Sequence, residues 1–413
     1  MTLDPVHVNG IARLAGFIAE DADDSDHQAL ARTVWEEWLD PLRAGGRTVV
    51  EPVGEQRLRA AAVDEVALVD PPYPTVHGLD SGTINPTSFK NGLVLDVAQA
   101  AMAAVPSQLD LHRMRSQVAT VHTRGVAANH DRAWESYDDE YGRLRVLHAP
   151  RVNRYAEGVV HALSLYLAES SHARHCAGAV DDLLVLDGPL YPKELLNWQD
   201  RDAELAELAR EAKPRAIVEN YVRLVEEFVE RDVPLCGFVK NPSAKLITRS
   251  LDDRDVEAPW VDDTAMFTRL LERRSGGERD TTDLTFTSWF VSRGGSDRTL
   301  AADGDALGIE RELEPDSYEV TFFVVYDPRE DLCYKVEAPY AFTKDEERRE
   351  ALTTQILHDV AATRGPPPAV AKADELARIS AAEKAALRRK FEERFDSELL
   401  RTYDDSRWGA EYE

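Results

Sequence analysis

The chain has 413 residues, enough for one large domain with elaborations or for two domains, and enough to bury a core without disulfide help. It carries 76 Asp and Glu against 49 Lys and Arg, a formal charge of −27, and its cations are 39 Arg and only 10 Lys. This balance opposes binding of nucleic acid through overall charge, yet a Lys-poor acidic surface suits concentrated salt, where screening lets local arginines position a strand. Cys176, Cys236 and Cys333 are solitary and far apart, which excludes a disulfide framework and any CxxC site. The N-terminus lacks the basic and apolar regions of a secretory signal, and no apolar run approaches the roughly 20 residues needed to span a bilayer. A cytoplasmic protein without membrane contact is expected.

Residues 1–60 read as a helical N-terminal region, with Ile11, Leu14 and Ile18, then Leu30, Val34, Trp35 and Trp38, at helical spacing. Asp70-Pro71-Pro72-Tyr73-Pro74 is a loop, because proline is excluded from helix interiors. Val76 to Thr83 then reads as a strand ending in Asp80, a tight turn and a returning strand through Leu93-Val94-Leu95. Trp134 to Tyr141 is acidic and aromatic and is expected as a solvated loop or helix face. A helix begins near Asn153 with Val159, Val160, Leu163 and Leu167 on one face, and Glu157 sits near its start. Asp182 to Leu190 repeats the earlier pattern, a buried strand ending in Asp187-Gly188.

Lys213-Pro214 opens a helix with Ile217, Tyr221, Leu224, Val225 and Phe228 as its buried stripe, and Leu235 to Val239 is a strand stopping at Lys240. This β–α–β succession predicts neighbouring parallel strands with a right-handed crossover. Residues 250–316 are rich in Asp, Arg, Gly and Thr and read as a surface insertion with one helix-like piece (Thr264 to Arg273), one strand-like piece (Thr285 to Val291) and turns at Gly294-Gly295 and Asp303-Gly304-Asp305. Tyr318 to Tyr326 and Leu332 to Glu337 predict a hairpin. Thr343-x-x-Glu346 and Ser380-x-x-Glu383 read as capping boxes, the second opening a C-terminal helix with Leu387, Phe391, Phe395 and Leu399 in one stripe.

The chemistry centres on carboxylates. Phosphodiester hydrolysis with two divalent ions needs Asp or Glu oxygens that hold the metals about 4 Å apart, and strand ends place such groups rigidly. Asp80 and Asp187 each end a strand and precede a small residue, which keeps the approach open. Either motif alone also makes an ordinary turn; the pair carries the signal. Glu157 is the first candidate for a third ligand and Glu169 the second. Lys240 offers a point charge to a phosphate. His172-x-x-His175-Cys176 lacks a partner pair at ligand spacing and reads as an ordinary loop. No Walker loop, GxSxG or HExxH occurs.

Leu79-Asp80-Ser81-Gly82, Leu184-Val185-Leu186-Asp187-Gly188-Pro189-Leu190, Gly237-Phe238-Val239-Lys240, Lys335-Val336-Glu337-Ala338-Pro339 and the proline-then-helix block Gly365 to Ile379 resemble, in order and spacing, the successive blocks of the NurA nucleases. The resemblance covers roughly residues 70–380. It implies an α/β fold with an RNase H-like mixed sheet flanked by helices, here with N-terminal and C-terminal helical elaborations (1–60 and 381–413) and the insertion at about 250–316. It also implies Mn²⁺- or Mg²⁺-dependent cleavage of DNA, exonucleolytic in the 5′-to-3′ sense and endonucleolytic on single strands. The implied setting is a homodimer acting with HerA, a hexameric DNA-translocating ATPase, in double-strand-break end resection. By the same resemblance Asp80 and Asp187 are metal-binding carboxylates, with Glu157 as the third and Glu169 as its alternative. Where the family commonly has an Ala-His pair, this chain has Ala373-Asp374, so Asp374 stands as a substitute ligand. The rival reading from another class is a non-catalytic DNA-end-binding or HerA-associated subunit with a degenerate site; an RNase H-like enzyme acting on RNA or a junction is a third.

Overall fold

The computed structural model describes residues 4–20, 27–123, 130–254, 256, 258–302 and 306–401. The expected turn at Asp303-Gly304-Asp305 lies outside the described residues. Among those described, fifteen strands form one mixed sheet, and helices pack on both of its faces. Eight strands matter most here: β1 (Val76–Thr83), β2 (Val94–Val105), β3 (Arg115–His122), β4 (Gly142–His148), β5 (Leu183–Asp187), β6 (Leu235–Val239), β7 (Val320–Asp327) and β8 (Leu332–Pro339). Their order across the sheet is β7-β8-β6-β5-β1-β2-β3-β4. β1, β2 and β3 form an antiparallel meander, and β5 and β6 add to β1 in parallel. The order β3-β2-β1-β5-β6 is the RNase H-like core that the sequence predicts, and β8 and β7 extend it as the predicted hairpin.

Five helices frame this core: α1 (Ala156–Cys176), α2 (Ala212–Glu230), α3 (Glu346–Thr363), α4 (Pro368–Ala377) and α5 (Ala381–Phe395). α1 and α2 cover one face. Ala98, Ala100, Met102 and Ala104 of β2 lie in the same core cluster as Val159, Val160, Leu163 and Leu167 of α1. Alanine is a weak strand former, but its small side chain lets a helix approach the sheet closely, so burial here outweighs propensity. The predicted α2 stripe of Ile217, Tyr221, Leu224, Val225 and Phe228 is buried in this cluster, at roughly 1.5–3 kcal/mol for each large apolar side chain. α3 and α4 cover the opposite face, where Val76, Val185, Phe238 and Val336 pack with Ile356, Val360, Ala369 and Val370.

Five local expectations are corrected. The helical reading of residues 1–60 holds for Pro5–Glu20 and His27–Thr33, but Leu42–Ala44, Arg47–Pro52 and Leu58–Ala62 are strands of the main sheet. The 250–316 stretch is not wholly on the surface. Asp283–Thr287 and Phe290–Ser292 also join the sheet, and Leu284, Phe286, Trp289 and Phe290 are buried. The strand-like piece Thr285 to Val291 is thus two strands, and the polar composition belongs to the connections around them. Trp134 lies in an edge strand, Arg132–Tyr137, rather than a loop or helix face. His172 and Cys176 occupy the end of α1, where His172 Nδ1 lies 2.9 Å from Ser116 Oγ, so this motif is helical packing and not a loop. α3 is capped by Asp345, whose side chain accepts from the Arg348 N–H, while Thr343 turns to the Thr321 hydroxyl. The Ser380–Glu383 capping box is present as predicted. Among the described residues, no helix is long and apolar enough to cross a membrane.

Candidate metal centre

The centre is built where β5 and β6 run out beside the middle of β1. β5 pairs in parallel with β1 up to Leu186 opposite Leu79 and ends at the next residue, Asp187. β1 does not end at Asp80, as the sequence suggested, but continues to Thr83, because Ser81, Gly82 and Thr83 keep pairing with β2. Asp80 therefore lies mid-strand beside the end of β5. Side chains alternate along a strand. Leu79 and Leu186 face α1 and α2, which turns Asp80 and Asp187 towards α4. Asp187 lies opposite Phe238 on β6, and Lys240 follows two residues later on the same face. Its ammonium donates to Asp187 Oδ2 at 2.6 Å.

The third acid arrives on α4. A Cβ on Gly78 would lie 2.2 Å from the Ala369 carbonyl, and one on Gly82 would lie 2.4 Å from the Ala377 carbonyl oxygen. Gly78, Asp80 and Gly82 share one face of β1, so the two glycines let the helix backbone rest directly on the strand on either side of Asp80. Asp374, between those two contact points on α4, is thereby held over Asp80 within β1. Asp80, Asp187 and Asp374 each present an oxygen within 4.8 Å of the others.

Glu169 supports the cluster from α1. The Ser81 hydroxyl donates to Glu169 Oε1 at 2.7 Å and the Tyr221 hydroxyl to Oε2 at 3.1 Å. Ser81 also donates its N–H to Asp80 Oδ1 at 2.7 Å, so Ser81 ties the two acids together. Glu157 is not brought to the cluster. It is exposed on the first turn of α1, accepting from the Ser88 hydroxyl at 2.9 Å, and twelve residues of helix place it about 18 Å along the axis from Glu169. Helical rise, which the local sequence around each Glu does not reveal, decides between the two. Tyr221 reads in sequence only as part of a buried stripe, and no sequence signal distinguished its hydroxyl.

The electrostatics fit a cation. Burial, then the charges of Asp187 and Glu169, push Asp80 up to about 9. Burial also raises Asp187 against the pull of Lys240, with Asp374 adding repulsion, and burial pushes Glu169 up to about 7. Burial works to lower Lys240, but its bond to Asp187 and the surrounding acids outweigh this and raise it. Carboxylates crowded in this way oppose one another's ionisation, and a cation among them removes the opposition. A donor set made only of carboxylate oxygens suits a hard divalent ion of the Mg²⁺ and Mn²⁺ class.

The fold as a whole has counterparts among solved structures. The fold resembles the crystal structure of the NurA nuclease from Sulfolobus solfataricus, with a TM-score of 0.50 and 12% identity over 95% of this chain and 98% of that one. A structure of NurA with manganese aligns with a TM-score of 0.44 and 11% identity, covering 92% of this chain and 97% of the other. One of NurA bound to dAMP and manganese aligns with a TM-score of 0.36 and 11% identity, covering 96% and 98%. Identities this low speak for the fold alone. No curated protein sequence matches the chain. The NurA domain family matches residues 74–379, a span that opens just before β1, closes just after α4 and contains Asp80, Glu169, Asp187, Lys240 and Asp374. With most of its length and its whole acidic centre inside that match, the chain belongs to the NurA domain family.

Proposed function

We propose that the protein is a metal-dependent DNA nuclease whose site is formed by Asp80, Asp187, Asp374, Glu169 and Lys240. The observation that carries this reading is the convergence of the Asp80, Asp187 and Asp374 oxygens within 4.8 Å, on elements from three separate parts of the chain. Two divalent ions, Mn²⁺ or Mg²⁺, would when bound supply an activated water and charge stabilisation for the leaving oxygen. Asp80, within β1, and Asp187, at the end of β5, would hold the ion positions on a rigid sheet, and Asp374 would close the set from α4. Glu169, fixed by Ser81 and Tyr221, aligns the Asp80 side of the centre or joins it as a ligand. Lys240 presents its ammonium beside Asp187, where it offsets charge on a phosphate oxygen.

Family membership supports the finer reading as well: a 5′-to-3′ exonuclease and single-strand endonuclease, working in the cytoplasm as a homodimer with a HerA-type hexameric ATPase in double-strand-break resection. The direct test incubates the purified protein at high KCl with end-labelled single- and double-stranded DNA, with Mn²⁺ or EDTA, beside Asp80→Ala. Cleavage that needs both the metal and Asp80 supports the nuclease. A folded wild type that binds DNA ends without cutting, alone and with the ATPase added, would overturn it in favour of a DNA-end-binding subunit, a role consistent with Asp374 standing where the family commonly has histidine.

A further inference from the structure

The family match stops at residue 379, yet the cleft beside the metal centre does not. That cleft, of about 400 Å³, is lined by Asp80, Thr83 and Asp374 on one side and by Arg378, Ser380 and Lys384 on the other. Its second side is the entry to α5, a helix of fifteen residues with none fully buried. A helix with so little core of its own is nevertheless fixed at both ends. At its start, Ser380 and Glu383 satisfy each other's backbone N–H groups in the capping box. Along its length, Arg388 donates to the Ile84 carbonyl at 2.8 Å. At its end, Phe391 and Phe395 pack on a small cluster of Phe89, Leu95 and Val121, with the Phe89 and Phe395 rings edge to face at 5.1 Å. Arg378 is equally fixed, because Gly82 seats the Ala377 carbonyl directly on β1 and the Arg378 N–H bonds the Asp374 carbonyl at 2.9 Å.

The two cations on this wall have no ion-pair partner among the described residues. The charge around the centre gives them a purpose. Asp80, Asp187 and Asp374 converge with Glu169 bonded close by, and the Lys240 ammonium is already paired with Asp187, on a chain of net charge −27. The phosphates flanking the reacting one then need cations supplied from the cleft wall. The capping box leaves the start of α5 already satisfied, so this need falls on side chains and not on the helix terminus.

We propose that α5 is the second wall of the substrate cleft and that Arg378 and Lys384 together hold the strand phosphate adjacent to the scissile one. This rests on the nuclease reading above for its substrate but adds residues that lie at and beyond the end of the family match. Both are positioning residues, since they meet the strand and not the reacting phosphorus.

The test measures binding of a fluorescein-labelled oligo(dT) by anisotropy in EDTA across a KCl series, for wild type, for Arg378→Ala/Lys384→Ala, and for Arg389→Ala/Lys390→Ala. The last pair removes the same charge from exposed positions on other faces of α5. The cleft variant is expected to bind more weakly, with the slope of log K against log[salt] reduced by about 0.7, one single-strand phosphate contact. The control pair is expected to keep the wild-type slope. In Mn²⁺, the cleft variant is expected to raise KM while kcat stays near wild type. An unchanged slope in the cleft variant, or an equal fall in both variants, would overturn the proposal. Wild type that binds but does not cut would end the nuclease reading while the slopes still decide the phosphate contact; wild type that does not bind would end both.

Discussion

Gly78 and Ala369 meet backbone to backbone, with room for no side chain between them: a Cβ on Gly78 would lie 2.2 Å from the Ala369 carbonyl carbon and oxygen and 2.4 Å from the Val370 nitrogen. This contact, repeated at Gly82 and Ala377, sets the height of α4 over β1 and so the distance from Asp374 to Asp80. Gly78→Ala has no flexible side chain to push aside and must lift the helix. The expected cost is about 1–3 kcal/mol, the usual range for overpacking, read by urea denaturation. Metal affinity should fall in the same variant, measured by Mn²⁺ titration, because Asp374 moves with the helix. A variant of wild-type stability and affinity would show that α4 is not seated by this contact.

The crowding of the acids makes a second prediction about stability. Asp80 titrates far above the ordinary carboxylate range in the folded protein because of burial and the charges of Asp187 and Glu169. Between the unfolded value, near 4, and about 9, the folded state therefore holds a proton that the unfolded state has released, and stability falls as pH rises. Asp80→Asn removes that titration. In EDTA at pH 8 its melting temperature is expected to exceed that of wild type, with the advantage shrinking towards pH 4. Added Mn²⁺ should raise the wild-type melting temperature and leave the variant nearly unmoved. A variant that melts below wild type in EDTA at pH 8 would contradict the repulsion.

Glu157 and Glu169 share one helix and separate cleanly by experiment. Glu169→Gln loses the charge that Ser81 and Tyr221 orient, and its metal affinity or rate of cleavage should drop by about 10- to 100-fold, as for other groups that orient metal ligands. Glu157→Gln alters an exposed bond to Ser88 and should cleave as wild type does. Single-turnover cleavage in Mn²⁺ compares the two. The reverse order of effects would return the ligand role to Glu157.

His161, on α1 about two turns before Glu169, gives a pH effect of its own. Its hydrogen bond to Asp96, at 2.7 Å, raises it against the opposing influence of burial. A raised histidine contributes stability that is fully present below its unfolded value of about 6.5 and is lost as pH rises through the higher folded value. The difference in melting temperature between wild type and His161→Ala should therefore be largest near pH 6 and shrink with rising pH. Asp96 keeps its bonds from the Ser164 hydroxyl and the Val97 N–H in the variant. A difference that grows with pH would reverse the assignment.

The sequence by itself determined the strands that carry Asp80 and Asp187, the helices flanking them, the β6 strand stopping before Lys240 and the hairpin of β7 and β8, although it ended β1 at Asp80 where pairing with β2 carries it to Thr83. Each of these is a local pattern, an apolar run closed by a turn or a stripe at helical spacing, and its signal lies within about ten residues. Only the tertiary structure decided which side chains meet. The sequence put Glu157 ahead of Glu169, and helical rise reverses the order by carrying only Glu169 to the cluster. Asp374 sits 187 residues beyond Asp187, and close contact at Gly78 and Gly82, visible only once α4 lies on β1, joins them. The strand-like piece Thr285 to Val291 was legible, but only pairing with β7 shows that it is two strands, Asp283–Thr287 and Phe290–Ser292, built into the main sheet and not a surface insertion. Local sequence encodes what each segment can become, while the site depends on register and packing between segments far apart in the chain.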